Sequence, residues 1–303
     1  GIMEENCGIK EPKRKPPVPL VKPENIIGFN ETTKNEIPIT IMKYIVKCYM
    51  SFLITGDQGT GKTTTLKSLI RFYPPDAALR INELQPEMNA RYAYPNRNII
   101  SFCETMNIST QDGLNFQKKT SGTVNMIGEI ASAPASSWWV QTCKVASKSG
   151  AGTHHGKTIY DTITAIRNDM VKVDHYTDAR AVEVMIADAL DFDIHMDRTG
   201  FRHLERITEV IPVKEQKYPY PDITNTGDVP LDLAIKINQQ EFQRRITDRP
   251  TFTSKNLVEY DMEAKRYNLT NMFSDEYYNK ILYNLSKKDR DVFERDMERI
   301  SKM

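Results

Sequence analysis

Apolar positions along the chain fall into short runs divided by polar and glycine-rich segments, and their spacing changes from region to region. Over residues 37–49, Ile41, Met42, Ile45 and Tyr49 recur at helical spacing, with Pro38 where a first helical turn tolerates it. Ser51-Phe-Leu-Ile-Thr55 is a short continuous apolar run, the pattern of a strand buried on both faces of a parallel sheet. Residues 64–72 read as a helix with Leu66, Leu69 and Ile70 inward and Pro74-Pro75 as its stop. Two more strand-like runs, 78–81 and 99–103, end close to acidic residues, and a helix opening at Ser109 leads to a fourth at 124–127, followed by Gly128-Glu129. A helix over 134–146 comes next, and the alternation lasts to about Val171, which predicts a parallel sheet covered on both faces.

The rhythm then changes. A helix over 178–189 precedes Phe192, Ile194 and Met196, which alternate up to the turn Asp197-Arg-Thr-Gly200, and Leu204, Ile207 and Val210 form the returning strand of an antiparallel hairpin. Residues 214–228 are rich in Pro, Gly and polar side chains and read as a loop. A helix over 231–245, a second hairpin over 257–267 and two helices starting at Ser274 and Ser286 complete the pattern, the last with the cap Ser286-x-x-Asp289. The opposite end, with Pro12, Pro16, Pro17, Pro19 and Pro23 among charged residues, reads as a linker.

Composition narrows the function classes. With 303 residues, 39% of them hydrophobic, the chain is long enough for one large α/β core and an appendage. A net charge of +1, from 41 basic and 40 acidic residues, gives no general attraction to nucleic acid or an anionic membrane. Cys7, Cys48, Cys103 and Cys143 form no C-x-x-C pair, so neither a zinc site nor a disulfide framework is suggested; Cys48 and Cys103, in apolar runs, read as buried thiols in a reducing cytoplasm. No apolar stretch is long enough to span a bilayer.

One motif carries the chemistry. Gly56-Asp57-Gln58-Gly59-Thr60-Gly61-Lys62-Thr63, followed by Thr64, fits G-x-x-x-x-G-K-[ST] between a predicted strand and a predicted helix. Its glycines let backbone N–H groups wrap a phosphate, the helix N-terminus adds a favourable dipole, Lys62 reaches the terminal phosphates of ATP, and Thr63 offers a hydroxyl to Mg2+. Hydrolysis also needs a carboxylate. Glu129, expected at the carboxyl end of a neighbouring strand, is the candidate for managing the metal, directly or through water; Glu83 and Glu87, past another strand end, are candidates for polarising the attacking water. His154 and His155 are expected in a polar loop at the sheet edge, where either could sense a phosphate or simply satisfy a carbonyl. Trp138 and Trp139 read as one core and one interface side chain, with a nucleic-acid stacking platform as the alternative.

Taken in order, the phosphate loop, Arg80-Ile-Asn-Glu-Leu, Met126-Ile-Gly-Glu-Ile130, Thr153-His-His-Gly156 and the segment 182–213 resemble the type II and type IV secretion ATPase (traffic ATPase) family, most closely its tight-adherence pilus branch. The resemblance covers roughly residues 30–213. It implies a RecA-like P-loop NTPase core at 31–213, in which residues 190–196 and 204–210 match the family's C-terminal antiparallel hairpin, after a Pro-rich linker at 1–30 in place of the family's N-terminal domain; residues 214–303 read as a C-terminal α/β extension that is largely helical. It further implies Glu83 as the catalytic base with Glu87 second, and His155 as the residue of the His box that meets the terminal phosphate. The implied protein is a cytoplasmic ATP hydrolase that is a homo-hexamer in full-length form. It would work at the cytosolic face of the membrane on an inner-membrane platform protein of a pilus or secretion system, without direct nucleic-acid contact. A DNA-translocating motor and a non-hydrolysing scaffold are the alternatives.

The departures from the family pattern are Ala131 where arginine is usual, Asn82 where an acid is common, and Lys148-Ser-Gly-Ala-Gly at the opening of the His box. An arginine supplied by a neighbouring subunit is part of the implied mechanism, and Arg91 and Arg97 are its candidates here.

Overall fold

The computed structural model describes residues 35–106, 109–213, 230–247 and 250–303; the expected linker at 1–30 and loop at 214–228 lie outside the described residues. The described residues contain a nine-stranded sheet with the order β3-β2-β4-β5-β1-β6-β7-β8-β9. The strands are β1 (Phe52–Thr55), β2 (Leu79–Glu83), β3 (Ile99–Cys103), β4 (Val124–Ile127), β5 (Ser149–His154), β6 (Phe192–Asp197), β7 (His203–Pro212), β8 (Phe252–Asp261) and β9 (Arg266–Leu269). From β3 across to β6 every pair is parallel, and from β6 to β9 every pair is antiparallel. The second hairpin therefore does not stand apart: β8 pairs along β7 and extends the same sheet.

Each face of the sheet carries its own apolar core. On one side lie α1 (Glu36–Lys47), α2 (Lys62–Leu69), α9 (Asp275–Asn284) and α10 (Lys287–Ser301); on the other lie α4 (Thr110–Lys118), α5 (Ala133–Gln141), α6 (Ile159–Asp174) and α7 (Ala179–Ala189). The short α3 (Ala90–Ala93) and the longer α8 (Leu231–Thr247) complete the helices among the described residues. α1 is buried well beyond one stripe, because the last helix covers the side that the sheet leaves open. Tyr44 donates to Asp296 at 2.6 Å, Lys43 reaches the same carboxylate at 2.9 Å, and Lys47 meets Asp289 at 2.7 Å. Ser109, Ser274 and Ser286 cap α4, α9 and α10 as their sequence patterns predict.

Several expectations are corrected. Residues 149–154 form β5, a fully buried strand between β4 and β1 rather than a loop at the sheet edge. Its sequence Ser-Gly-Ala-Gly-Thr-His hides it, since small residues are required by the helix above: a Cβ on Gly150 would lie 2.1 Å from the Cys143 sulfur and 3.2 Å from Trp139 Nε1. The predicted helix 134–146 is α helix only to Gln141, then widens into a π turn at Thr142–Ala146 that carries Cys143 onto the strand. Trp138 and Trp139 are both core residues, 3% and 0% exposed, so neither is an interface side chain or a stacking platform. Cys48 is buried, whereas Cys103 is half-exposed because β3 is an edge strand. Among the described residues no helix is long and apolar enough to cross a membrane.

The contact under β5 gives a stability prediction. Gly150→Ala should destabilise the fold by about 2 kcal/mol through overpacking, and Cys143→Ala should recover much of that loss when combined with it. Equilibrium urea unfolding of the two single variants and the double variant measures the coupling, and strict additivity would contradict the contact.

Candidate active site

β1 ends at Thr55, α2 begins at Lys62, and the six residues between them wrap back over the strand end. The wrap depends on left-handed backbone at Gly56 (φ +134°), Gly59 (φ +76°) and Gly61 (φ +97°). Gly56 also has no room for a side chain, since a Cβ there would sit 2.1 Å from the Met196 carbonyl oxygen of β6. Thr60 donates its hydroxyl to Asp57 O at 2.9 Å and closes the loop from within. Lys62, 7% exposed, folds back to donate to Gly56 O at 2.8 Å and Asp57 O at 2.9 Å. Burial lowers its pKa, while Glu129 and Asp57 act in the opposite direction. The result is an anion cradle: glycine-shaped backbone, a helix N-terminus, and a lysine held at the loop rather than in bulk solvent.

The carboxylates lie toward the β5 side of the loop. Glu129 follows β4, which is not the immediate neighbour of β1 as expected but the next strand but one, with β5 between them. The β4 end is fixed from both sides, by Gly128 N donating to Asn82 O at 2.7 Å and by the Thr153 hydroxyl donating to Gly128 O at 2.7 Å. His155, just beyond β5, bridges the gap: its Nδ1 lies 3.4 Å from Lys62 Nζ and its Nε2 lies 2.9 Å from Glu129 Oε1. Because an ammonium can only donate, this geometry assigns Nδ1 as acceptor and Nε2–H as donor to Glu129. Glu83, 5% exposed at the end of β2, accepts from Met88 N at 2.8 Å, and burial raises its pKa.

A cavity of about 280 Å³ brings the carboxylates to the loop, with Gln58, Thr63, Glu83, Glu87, Gly128 and Glu129 on its wall. Asp57, Gln58, Gly59 and Thr64 face solvent, and Glu87 is exposed on the loop after β2. His154 is not part of the constellation; it is buried at the end of β5, its pKa lowered by burial, with Nδ1 lacking a hydrogen-bond partner. Arg97 is also excluded, because its guanidinium is spent on the carbonyls of Arg71, Tyr73 and Pro74, which tie down the loop before β2. Arg91 is exposed.

The sequence pattern missed a polar floor beneath the loop. The Thr55 hydroxyl donates to Asp193 Oδ1 at 2.7 Å and lies 2.8 Å from His195 Nδ1, which makes that nitrogen the N–H donor to it. Both side chains come from β6, where the alternation of Phe192, Ile194 and Met196 with polar residues suggested one solvated face; instead Asp193 is 0% exposed and His195 7%. Burial pushes Asp193 up to about 6 and His195 down to about 4. Arg206 and Glu205 of β7 act in opposite directions on Asp193, and Arg206, Asp197, Asp57 and Lys62 act on His195.

No family model and no curated protein matches the chain. Among solved structures, the VirB11 ATPase of the Brucella suis type IV secretion system, in complex with sulphate, aligns with a TM-score of 0.50 at 15% identity, over 56% of this chain and 51% of that one. Lower scores are found for the pilus retraction motor PilT with bound ADP (TM-score 0.43, 18% identity, 70% and 57% covered) and for the Legionella pneumophila ATPase DotB (0.46, 14%, 84% and 65%). The chain spans about half the length of the VirB11 ATPase. That likeness shows the fold: a RecA-like P-loop core of mixed α/β type, continued here by an antiparallel hairpin and helices. The motif resemblance to secretion ATPases thus meets a solved structure from that family with the same fold.

The polar floor predicts a pH dependence. Asp193, whose ordinary value is 3.8, contributes stability that is complete below that pH and is lost as pH rises to about 6; His195, ordinarily 6.5, contributes above 6.5 and loses it as pH falls to about 4. The two oppose each other across that window. Asp193→Asn leaves only the histidine, so its stability relative to the unchanged protein should improve from pH 4 to pH 7 by up to ~3 kcal/mol. Thermal melts across that range check it; parallel profiles would show that Asp193 does not titrate there.

Proposed function

We propose that this chain binds Mg-ATP at Gly56, Asp57, Gln58, Gly59, Thr60, Gly61, Lys62, Thr63 and Thr64 and hydrolyses it with Glu129, Glu83, Glu87 and His155. The observation that carries the reading is the hydrogen-bonded chain from Lys62 through His155 to Glu129, at the edge of a cavity that also holds Thr63 and Glu83. Among the described residues no cluster of three or more His, Cys, Asp or Glu side chains forms a metal site. Mg2+ here suits the Thr63 hydroxyl, with Glu129 acting through water, because this ion keeps much of its hydration and takes few protein ligands. Bound there, it would neutralise charge that develops on the phosphates.

The residues divide the work. Lys62, itself buried beneath the loop, supplies a positive charge where it counts for more than in bulk solvent. Glu83 is the general base: its raised pKa makes it a better proton acceptor from water than an exposed carboxylate, and the Met88 N–H fixes its orientation. Glu87, on the same cavity, is the second candidate. His155 positions Glu129.

At the level of the assembly, the reading is a motor subunit of the secretion ATPase type. It would act as a homo-hexamer at the cytosolic face of a membrane and drive pilus assembly or secretion through an inner-membrane platform protein. The motif order and the fold shared with the VirB11 ATPase support it. The buried tryptophans and balanced charge weigh against direct nucleic-acid contact. With Arg97 engaged by its own chain, exposed Arg91 is the arginine proposed to reach a neighbouring subunit's site.

Lys62→Ala should lose most ATP affinity while melting normally, and Glu83→Gln should keep ATP affinity while turnover falls roughly 10²- to 10⁴-fold. Titration calorimetry and phosphate-release assays separate the two effects. Normal turnover in Glu83→Gln with loss in Glu87→Gln would move the base to Glu87. Specific activity should also rise with protein concentration as subunits meet. A rate that stays flat down to concentrations where sedimentation shows only monomer would refute the shared site.

A further inference from the structure

The sheet order gives a ligand in the phosphate loop a direction. β1 lies between β5 and β6, and the groups assigned above to the terminal phosphate all follow strands on the β5 side: His155 after β5, Glu129 after β4 and Glu83 on β2. A nucleotide whose terminal phosphate faces them carries its nucleoside toward β6. The next backbone there is the turn between β6 and β7, whose side chains no step of the proposed hydrolysis uses.

That turn reaches the loop. Arg198 Nη1 lies 3.3 Å from the point a Cβ on Gly59 would occupy, which brings a guanidinium onto the exposed crest of the phosphate loop. Among the described residues no hydrogen bond or ion pair holds the Arg198 side chain. Three positions later, Phe201 presents an aromatic ring that is 43% exposed. It is fixed from behind: its ring centroid is 4.9 Å from that of buried His203 and 5.8 Å from that of Tyr260, and Tyr260 in turn packs on Tyr267 at 4.8 Å. His203 Nδ1 also lies 2.9 Å from Phe201 O, which anchors the backbone of the turn. The turn next to it is open, since a Cβ on Gly200 would meet nothing beyond its own chain neighbours within 4 Å.

We propose that the turn between β6 and β7 is the nucleoside end of the site, with Arg198 binding the phosphate next to the ribose and Phe201 offering the face on which the base stacks. The proposal rests on the nucleotide reading of the phosphate loop. A guanidinium suits a phosphate through charge-assisted, directional hydrogen bonds. A ring already immobilised by its neighbours loses little freedom when a base lies on it, and a purine covers it better than a pyrimidine.

The test is calorimetric titration of the full 303-residue chain with ADP and, separately, with inorganic tripolyphosphate, which has the charges but no base. Phe201→Ala should weaken ADP roughly tenfold and leave tripolyphosphate unchanged. Phe201→Tyr should bind ADP as the unchanged protein does. Arg198→Ala should weaken both ligands roughly tenfold, with Arg198→Lys intermediate. Unchanged ADP affinity in Phe201→Ala or Arg198→Ala overturns the assignment, as does an equal loss of both ligands in Phe201→Ala, which would mark a structural role. Lys62→Ala separates the two readings: if it loses both ligands while the turn variants lose neither, the phosphate loop stands and the nucleoside subsite falls. If the unchanged protein binds neither ligand, both fall.

Discussion

Parallel strands expose their carboxyl ends along a single edge of a sheet, and register decides which residues arrive there together. In this protein Thr55, the last residue of β1, is level with His154 of β5 on one side and His195 of β6 on the other. Ile127 at the end of β4 is level with Gly152 and with Asn82 of β2. The phosphate loop, His155, Glu129, Glu83 and the turn after β6 therefore leave the sheet at one edge, although more than a hundred residues of chain separate the first from the last. A slip of one residue in β6 would turn Asp193 and His195 to the opposite face and bring Ile194 under the loop.

Holding that register places severe demands on packing. β5 must lie between β4 and β1 with helices close above it, and it meets the demand with glycines and a serine where β-branched side chains would be usual. The π turn after α5 is the complementary adjustment in the helix. The other face is closed by α1 against α10, so that Tyr44 and Asp296, almost at opposite ends of the described chain, meet in a buried hydrogen bond. Two buried polar atoms without a partner, Asp193 Oδ2 and His154 Nδ1, lie on the two strands that flank β1.

Features with a local cause were legible in the sequence. The loop glycines need left-handed backbone, Ser109, Ser274 and Ser286 cap the helices that follow them, and β4 is a compact apolar run. Features set by distant neighbours were not. Nothing in Ser-Gly-Ala-Gly-Thr-His announces a strand until the π turn above it is known. The tryptophan pair read as one core and one interface side chain, yet both are buried and the Trp138 indole donates to Leu114 O at 3.0 Å. Arg97 looked free until the carbonyls before β2 closed around it. Asp193 and His195 occupied the polar phase of an alternating strand, and alternation distinguishes two faces without saying that both are covered.

The same geometry makes the phosphate loop and the acidic wall one electrostatic unit. Lys62 donates hydrogen bonds to two loop carbonyls and stands at the edge of hydrogen-bonding range of His155, while His155 Nε2–H donates to Glu129 at a much shorter distance. The imidazole is thus aligned by a cation on one nitrogen and a carboxylate on the other. A phosphate in the cradle would compete with the loop carbonyls and with Nδ1 for the Lys62 ammonium, and the weakest of those contacts, the one at 3.4 Å, yields first.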